Sequence, residues 1–253
     1  MRLLIIAFFV FLSTVCQAQQ VFISAGKIEF EKQINLHKEI DESWGDENDD
    51  NIWKQNYKKS LPKVGVSYFD LYFNENKSIY KAGKEAQQGL LKVPEWMADK
   101  ALDNIIYNDV QLQQTTSQKN IFENTFLIQD SIRKIDWRIT NDTRTIAGVE
   151  CRKAIGKIMD SVYVIAFYTD IITSSCGPES FTGLPGLILG VAIPRINTTW
   201  FATKIELITV PDAMLAAPKK GKKATYQDLM IQLRKSTKDW GKNGDRNIWK
   251  LMI

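Results

Sequence analysis

The chain holds a single histidine, His37, and only three cysteines. One imidazole excludes a His-rich zinc site, and it rests any His-based triad on a residue in Asn35-Leu36-His37-Lys38 that reads as an exposed strand end. No glycine-rich phosphate-binding fingerprint is present, so nucleotide chemistry of that kind is excluded too. Charge of one sign is scarce: 33 Lys and Arg stand against 29 Asp and Glu, a formal +4, which leaves no footprint for nucleic acid. Long apolar runs are scarce as well. A membrane-crossing helix needs roughly 20 apolar residues, and nothing after the N-terminus approaches that, so no transmembrane span is expected once the leader is removed.

The one apolar run that exists is informative. Arg2 precedes Leu3 to Leu12, and Ser13-Thr14-Val15-Cys16-Gln17-Ala18 follows. An early cation, a short apolar core and a small residue at the cut make a secretory signal peptide of residues 1–18. Lipoprotein cleavage ahead of Cys16 is the alternative, opposed by the bulk of Val15 before it. Residues 19–253 then form one exported domain. Two cysteines remain, Cys151 and Cys176, and an even pair in an oxidising compartment reads as a disulfide rather than a metal site or a nucleophile.

Acidic residues gather early (Glu39, Asp41, Glu42, Asp46, Glu47, Asp49, Asp50). Basic ones gather late, in Lys219-Lys220-Gly221-Lys222-Lys223 and at Arg234, Lys235, Lys238 and Lys242. Such runs read as solvated loops or helix faces, and the two could face each other in the fold.

From Gly26 onward the pattern is mostly β. Lys134 to Ile139 alternates, with Ile135, Trp137 and Ile139 on one face, as a half-buried strand requires. Further strands are expected over 26–35, 64–74, 79–81, 105–115, 119–129, 149–157 and 162–169. Turns are expected at Asn74-Glu75-Asn76-Lys77 and Asp142-Thr143-Arg144. Leu187 to Ile193 is apolar throughout apart from Gly190, as in a strand covered on both sides, with 200–208 as its hairpin partner. Helices are expected over 51–59 and after Thr225-Tyr226-Gln227-Asp228, which resembles a capping box. There Tyr226, Leu229, Met230, Leu233 and Trp240 recur at helical spacing. The expected fold class is mainly β (α+β): a curved antiparallel sheet or open half-barrel with a C-terminal helix packed on it.

Between two of these strands, Thr173 to Gly186 is a loop punctuated by Gly177-Pro178 and Leu184-Pro185-Gly186. Pro185-Gly186 suits the centre of a type II turn, so a structural role explains the loop. The literal run Gly177-Pro178-Glu179-Ser180-Phe181-Thr182-Gly183-Leu184-Pro185-Gly186-Leu187-Ile188-Leu189, behind Tyr168-Thr169, resembles the signature of the GLPGLI family of exported proteins from Bacteroidetes. Val149-Glu150-Cys151-Arg152-Lys153-Ala154 resembles that family's cysteine strand, and Gly26-Lys27-Ile28-Glu29-Phe30 its opening. The resemblance implies an accessory factor of the periplasm or outer membrane, found alongside TonB-dependent receptors, whose partner is an outer-membrane receptor or another envelope protein. It implies no reaction.

The residues singled out are therefore the signature loop (Gly177, Pro178, Glu179, Phe181, Gly183, Leu184, Pro185, Gly186) and Cys151 with Cys176. No metal and no cofactor is expected. Three functions remain open: a non-enzymatic binding or accessory protein, a carrier of an apolar ligand in a β cavity, and a hydrolase using Asp170 and Glu179 as paired carboxylates.

Overall fold

The computed structural model describes residues 23–44, 51–83, 99, 101–159 and 161–253. The leader of residues 1–18 and the acidic positions Asp46, Glu47, Asp49 and Asp50 lie outside the described residues.

The strands are β1 (Gly26–Asn35), β2 (Val64–Phe73), β3 (Lys77–Ala82), β4 (Ile105–Asp109), β5 (Gln114–Ile121), β6 (Asn124–Ser131), β7 (Arg138–Ile146), β8 (Val149–Ile158), β9 (Val162–Thr169), β10 (Leu187–Ile193), β11 (Thr198–Glu206) and β12 (Lys222–Ala224). They form one open sheet in the order β12-β6-β5-β4-β3-β2-β1-β11-β10-β9-β8-β7. Every pairing is antiparallel except that of β12 with β6. The helices are α1 (Leu36–Trp44), α2 (Ile52–Ser60), α3 (Tyr226–Ser236) and α4 (Lys242–Met252).

Chain length alone demands that this sheet curve. β6 and β7 stand ten strand spacings apart in the order, about 48 Å if the sheet were flat. Ser131 and Arg138 are joined by only six residues, which reach about 25 Å at full stretch. The two ends must therefore curl toward each other. The link itself lies inside the curve. A Cβ on Gly156 of β8 would stand 2.6 Å from Ile135 and 2.8 Å from Trp137, so that glycine makes room for the crossing chain.

The expected strand at 134–139 thus reads differently in the structure. Its alternation holds only as far as Trp137, since Ile135 is buried and Trp137 half-buried while Lys134 and Asp136 are exposed, but Ile139, expected on the same face, is exposed. It has no ladder partner before Arg138, because it lies across the sheet rather than in it. The expected turn at 142–144 is also overturned. These residues continue β7 through a register shift between Ile139 and Thr143, and the hairpin turns at Ala147-Gly148, both at positive φ. Nor are 105–115 and 119–129 single strands. The chain turns at 110–113 and again at Phe122-Glu123, where Phe122 takes φ 54°. Glycine or asparagine would normally mark such a left-handed position, so a bulky aromatic there hides the hairpin.

Inward positions on β1, β2 and β3 (Ile28, Phe30, Phe69, Leu71, Phe73, Tyr80) join those of β8 to β11 in one large core. A second core roofs β5 and β6, where Leu229 and Leu233 of α3 and Ile248 and Met252 of α4 meet Ile121, Phe126 and Ile128. Thr225 caps α3 by accepting from the Asp228 N–H at 3.1 Å. The Asp228 carboxylate answers the Thr225 hydroxyl rather than a backbone N–H, and the Tyr226 N–H donates to Asp130. Trp240 leaves the expected stripe. It sits in a separate 3-10 turn, Lys238–Trp240, exposed and edge-on to Phe122.

The charged ends do meet, through other cations than the lysine run. Glu39 pairs with Arg246 and Lys250, and Glu42 with Arg246, joining α1 to α4. Part of the lysine run, Lys222 and Lys223, forms the edge strand β12. His37 stands in the first turn of α1, half-buried, with Nε2 3.3 Å from the Leu61 carbonyl. It is therefore no exposed strand end.

Candidate functional site

The signature loop is folded into the concave side of the sheet. Phe181 and Leu184 belong to the main core, and Phe181 meets the Trp200 ring of β11 edge-on. Local bonds hold the loop in shape. The Ser175 hydroxyl donates to Leu184 O at 2.8 Å and accepts from the Gly183 N–H, and Ile188 N–H of β10 donates to Cys176 O. From the crossing link, Trp137 donates its indole N–H to Thr182 O at 2.9 Å. The expected type II turn at Pro185-Gly186 is instead a tighter one, closed by the Gly186 N–H on Leu184 O at 2.8 Å. Gly186 has φ +144°, and any Cβ on it would stand 2.0 Å from Thr169 O. Glycine is required here because β9 lies directly against the loop.

Cys151 and Cys176 are both buried, and both are free. The expected disulfide is absent from this structure. Cys151 lies on β8 with its thiol near Val149 O, whereas the Cys176 thiol faces Ser174. Burial pushes each thiol up to about 11, which leaves neither as a thiolate nucleophile near neutral pH.

Glu179 is the loop's one ionisable group apart from the Cys176 thiol, and it is 1% exposed, at φ 53°. Lys32 of β1 lies 3.6 Å from its carboxylate and 2.8 Å from that of Asp99. The Lys32 ammonium also stands over the Trp200 and Phe69 rings. Burial alone would lower the Lys32 pKa, but the charges of Asp99 and Glu179 outweigh it and raise it. Burial raises that of Glu179, opposed by Lys32 and Lys119 and reinforced by Asp99. Around this triad both Glu179 oxygens, Asp99 Oδ2, Tyr80 Oη and Trp200 Nε1 are buried without a hydrogen bond among the described residues. Such a cluster ties the loop to β1 electrostatically. Asp170, the other carboxylate considered for hydrolysis, is exposed while Glu179 is buried, so the two share no environment suited to acid–base work.

Beside Glu179 the concave face opens. A pocket of about 220 Å³ is lined by Asn108 of β4, Thr115, Ser117 and Lys119 of β5, Ile128, Asp130 and Ser131 of β6, the linking residues Ile132 and Arg133, Ser180 of the signature loop, Tyr226 of α3 and Met252 of α4. Lys119 is 4% exposed and donates to Leu251 O at 3.3 Å. Burial lowers its pKa to about 8, with Glu179 opposing and Arg133 and Lys32 assisting. Arg133 donates to Met252 O at 3.4 Å and stacks over the Tyr226 ring, its Nη1 unpartnered.

Of the segments that the sequence marks out, the signature loop touches this pocket through Ser180 and the capping-box segment through Tyr226. Lys32, Lys119, Arg133 and Asp99 are not among the residues it singles out. A signal exists for two of them. Lys32 follows Ile28 and Phe30 at the spacing of the inward face, and Lys119 stands between Ser117 and Ile121 in the same way. A charge at an inward strand position is a marker of function or pairing. Among the described residues no group of three or more His, Cys, Asp or Glu could hold a metal ion, and no helix is long and apolar enough to cross a membrane.

A family model described as a protein of unknown function (Porph_ging) matches residues 156–190, from β8 through the signature loop into β10. Among curated proteins, none matches the sequence. Two solved structures of PNGF-II, in space groups C2 and P21, superpose with a TM-score of 0.51 each, at 14% and 13% identity. They cover 81% and 79% of this chain, which spans only 32% of theirs. At that identity the likeness is one of fold, and the family whose model the signature segment matches is itself one of unknown function.

Proposed function

We propose that the chain is an exported binding or accessory protein of the cell envelope, resident in the periplasm or at the outer membrane. In this reading it works with an outer-membrane receptor of the TonB-dependent kind. The GLPGLI resemblance of the 168–189 run, the cysteine strand and the leader of residues 1–18 support the location. The observation that carries the binding reading is the pocket beside Ser180. The most distinctive loop of the chain forms part of its wall, while the rest of the loop is engaged in packing.

The test is envelope fractionation of the full chain from an export-competent Gram-negative host, with intact-mass analysis and in-cell cross-linking. The expected result is a mass beginning at Gln19, recovery with the periplasm or outer membrane, and cross-links to an outer-membrane receptor. Recovery from the cytoplasm with the leader attached would overturn the location. An acylated mass beginning at Cys16 would replace the soluble form with a lipoprotein.

A further inference from the structure

The pocket beside Ser180 holds two cations, and neither Lys119 nor Arg133 has a carboxylate within 4.0 Å among the described residues. Their hydrogen bonds go to the main-chain carbonyls of Leu251 and Met252. Elsewhere in the interior the pattern is the opposite, since Lys27, Lys32 and Arg246 are buried against carboxylates. A buried cation without a counter-charge is costly, because the lost hydration is not replaced. The carboxylate at the pocket rim, Asp130, is already used: Oδ1 accepts from the Ser131 N–H at 2.8 Å and Oδ2 from the Tyr226 N–H at 3.3 Å. Glu179, whose charge acts on Lys119 from outside contact distance, lies 3.6 Å from Lys32.

The remaining wall is of two kinds. Asn108 Nδ2, Arg133 Nη1 and Tyr226 Oη are donors without a hydrogen-bond partner among the described residues, set beside the hydroxyls of Thr115, Ser117 and Ser180. Ile128, Ile132 and Met252 are apolar. A site with cations and free donors at one place and aliphatic side chains at another suits a molecule with an anionic head and a short apolar body. The volume is below the roughly 300–1,000 Å³ usual for larger ligands. A guanidinium with a free N–H favours a planar carboxylate.

We propose that this pocket binds a small organic carboxylic acid, with its carboxylate held by Arg133 and Lys119 and its apolar part against Ile128, Ile132 and Met252. The proposal rests on the reading of the chain as a binding protein, and it names the class of ligand.

The experiment is calorimetric titration and thermal denaturation of the full mature chain with benzoate, butyrate and succinate. The matched uncharged benzamide and butyramide, and inorganic phosphate, are run in parallel. At least one carboxylate should bind and raise the melting temperature, and its amide should not. Arg133→Gln and, separately, Lys119→Met should each weaken that binding about tenfold or more, while Arg138→Gln, on exposed β7, should leave it unchanged. If one pocket variant does not fold, the other carries the comparison. Amides binding as well as acids, or variants binding as well as wild type, would overturn the anionic assignment and leave the binding reading standing. Phosphate binding where no carboxylate does would overturn the carboxylate class. Binding of no probe at all would overturn the proposal and remove the observation on which the binding reading rests.

Discussion

On β1, β2 and β3 the inward face presents Ile28, Phe30, Phe69, Leu71, Phe73 and Tyr80. On β4, β5 and β6 it presents Asn108, Thr115, Ser117, Lys119 and Asp130 beside Ile106 and Ile128. The two regions are adjacent parts of one sheet with the same pleat and register rules, yet one is filled and the other is roofed. The signature loop fills the first, bringing Phe181 and Leu184 as core and Glu179 as a counter-charge for the inward lysine, Lys32. Helices α3 and α4 cover the second, and between roof and sheet a pocket with both charged and aliphatic walls remains. Each half holds an inward lysine. Lys32 is paired and its pKa is raised, whereas Lys119 has no carboxylate in contact among the described residues and its pKa falls to about 8. The same residue type at equivalent strand positions is structural where a loop supplies the anion. Where none does, it is the group to which the proposed ligand site assigns an anion.

The comparison breaks most severely at Gly186. A valine there drives its side chain into Thr169 O and forces positive φ on a β-branched residue. Gly186→Val should cost roughly 4 kcal/mol or more by overpacking and backbone strain together, enough to abolish folding of a marginally stable domain. Urea denaturation measures it. An unchanged midpoint would show that the loop is no plug.

Lys32→Met should rank next. It leaves Glu179 and Asp99 buried without their cation, at a cost of about 3 kcal/mol. Part of this should be recovered at low pH, because burial raises the pKa of Glu179 and so favours its neutral form as pH falls, and stability curves at pH 7 and pH 4 would reveal it. A variant as stable as wild type at pH 7 would mean that the triad does not hold the loop.

Lys119→Met should do the reverse and stabilise the empty protein at pH 7, by about 1–3 kcal/mol. The folded pKa of about 8 lies below the ordinary 10.5. Between these values the unfolded chain binds more protons, so wild-type stability should rise as pH climbs from about 8 to 10.5. The variant's advantage should fade over the same window, as thermal melts across pH 7 to 11 would show. A loss of stability on removing this charge would contradict its lack of a counter-charge. The smallest effect belongs to the roof. Thr225→Ala removes the N-cap of α3 and should cost about 1 kcal/mol, read by the same denaturation. A change in carboxylate affinity without any change in stability would mean that α3 shapes the pocket more directly than its capping implies.

Strands with strong local patterns are legible in the amino-acid order itself. Residues 162–169 and 187–193 form β9 and β10 over those very spans, because alternate burial in β9 and two-sided burial in β10 write apolar patterns that no neighbour needs to explain. Residues 134–137 show the limit of such reading. Alternation reports which side chains are buried, and it is the same whether the partner is a strand or the floor of a curved sheet. The hairpin at Phe122 is hidden because tertiary context forces an aromatic into a conformation that glycine usually marks. The second C-terminal helix, α4, leaves as faint a trace, since its buried positions, Ile248 and Met252, are few and set among charged residues.

The sequence by itself determined the β-rich class, most strand positions, the cap of α3 and the unusual rigidity of the loop at 173–186, since each follows from dihedral preference or burial period within a few residues. Only the tertiary structure decided that the sheet curls until β6 and β7 lie within one short link of each other, and that the loop enters the curve. It alone left Cys151 and Cys176 unpaired, and it alone brought Lys119, Arg133, Ser180 and Tyr226 round one pocket. Those outcomes depend on which remote segments share a concave face. Contact between residues far apart in the chain is set by the packing of the whole sheet, and no local pattern encodes it.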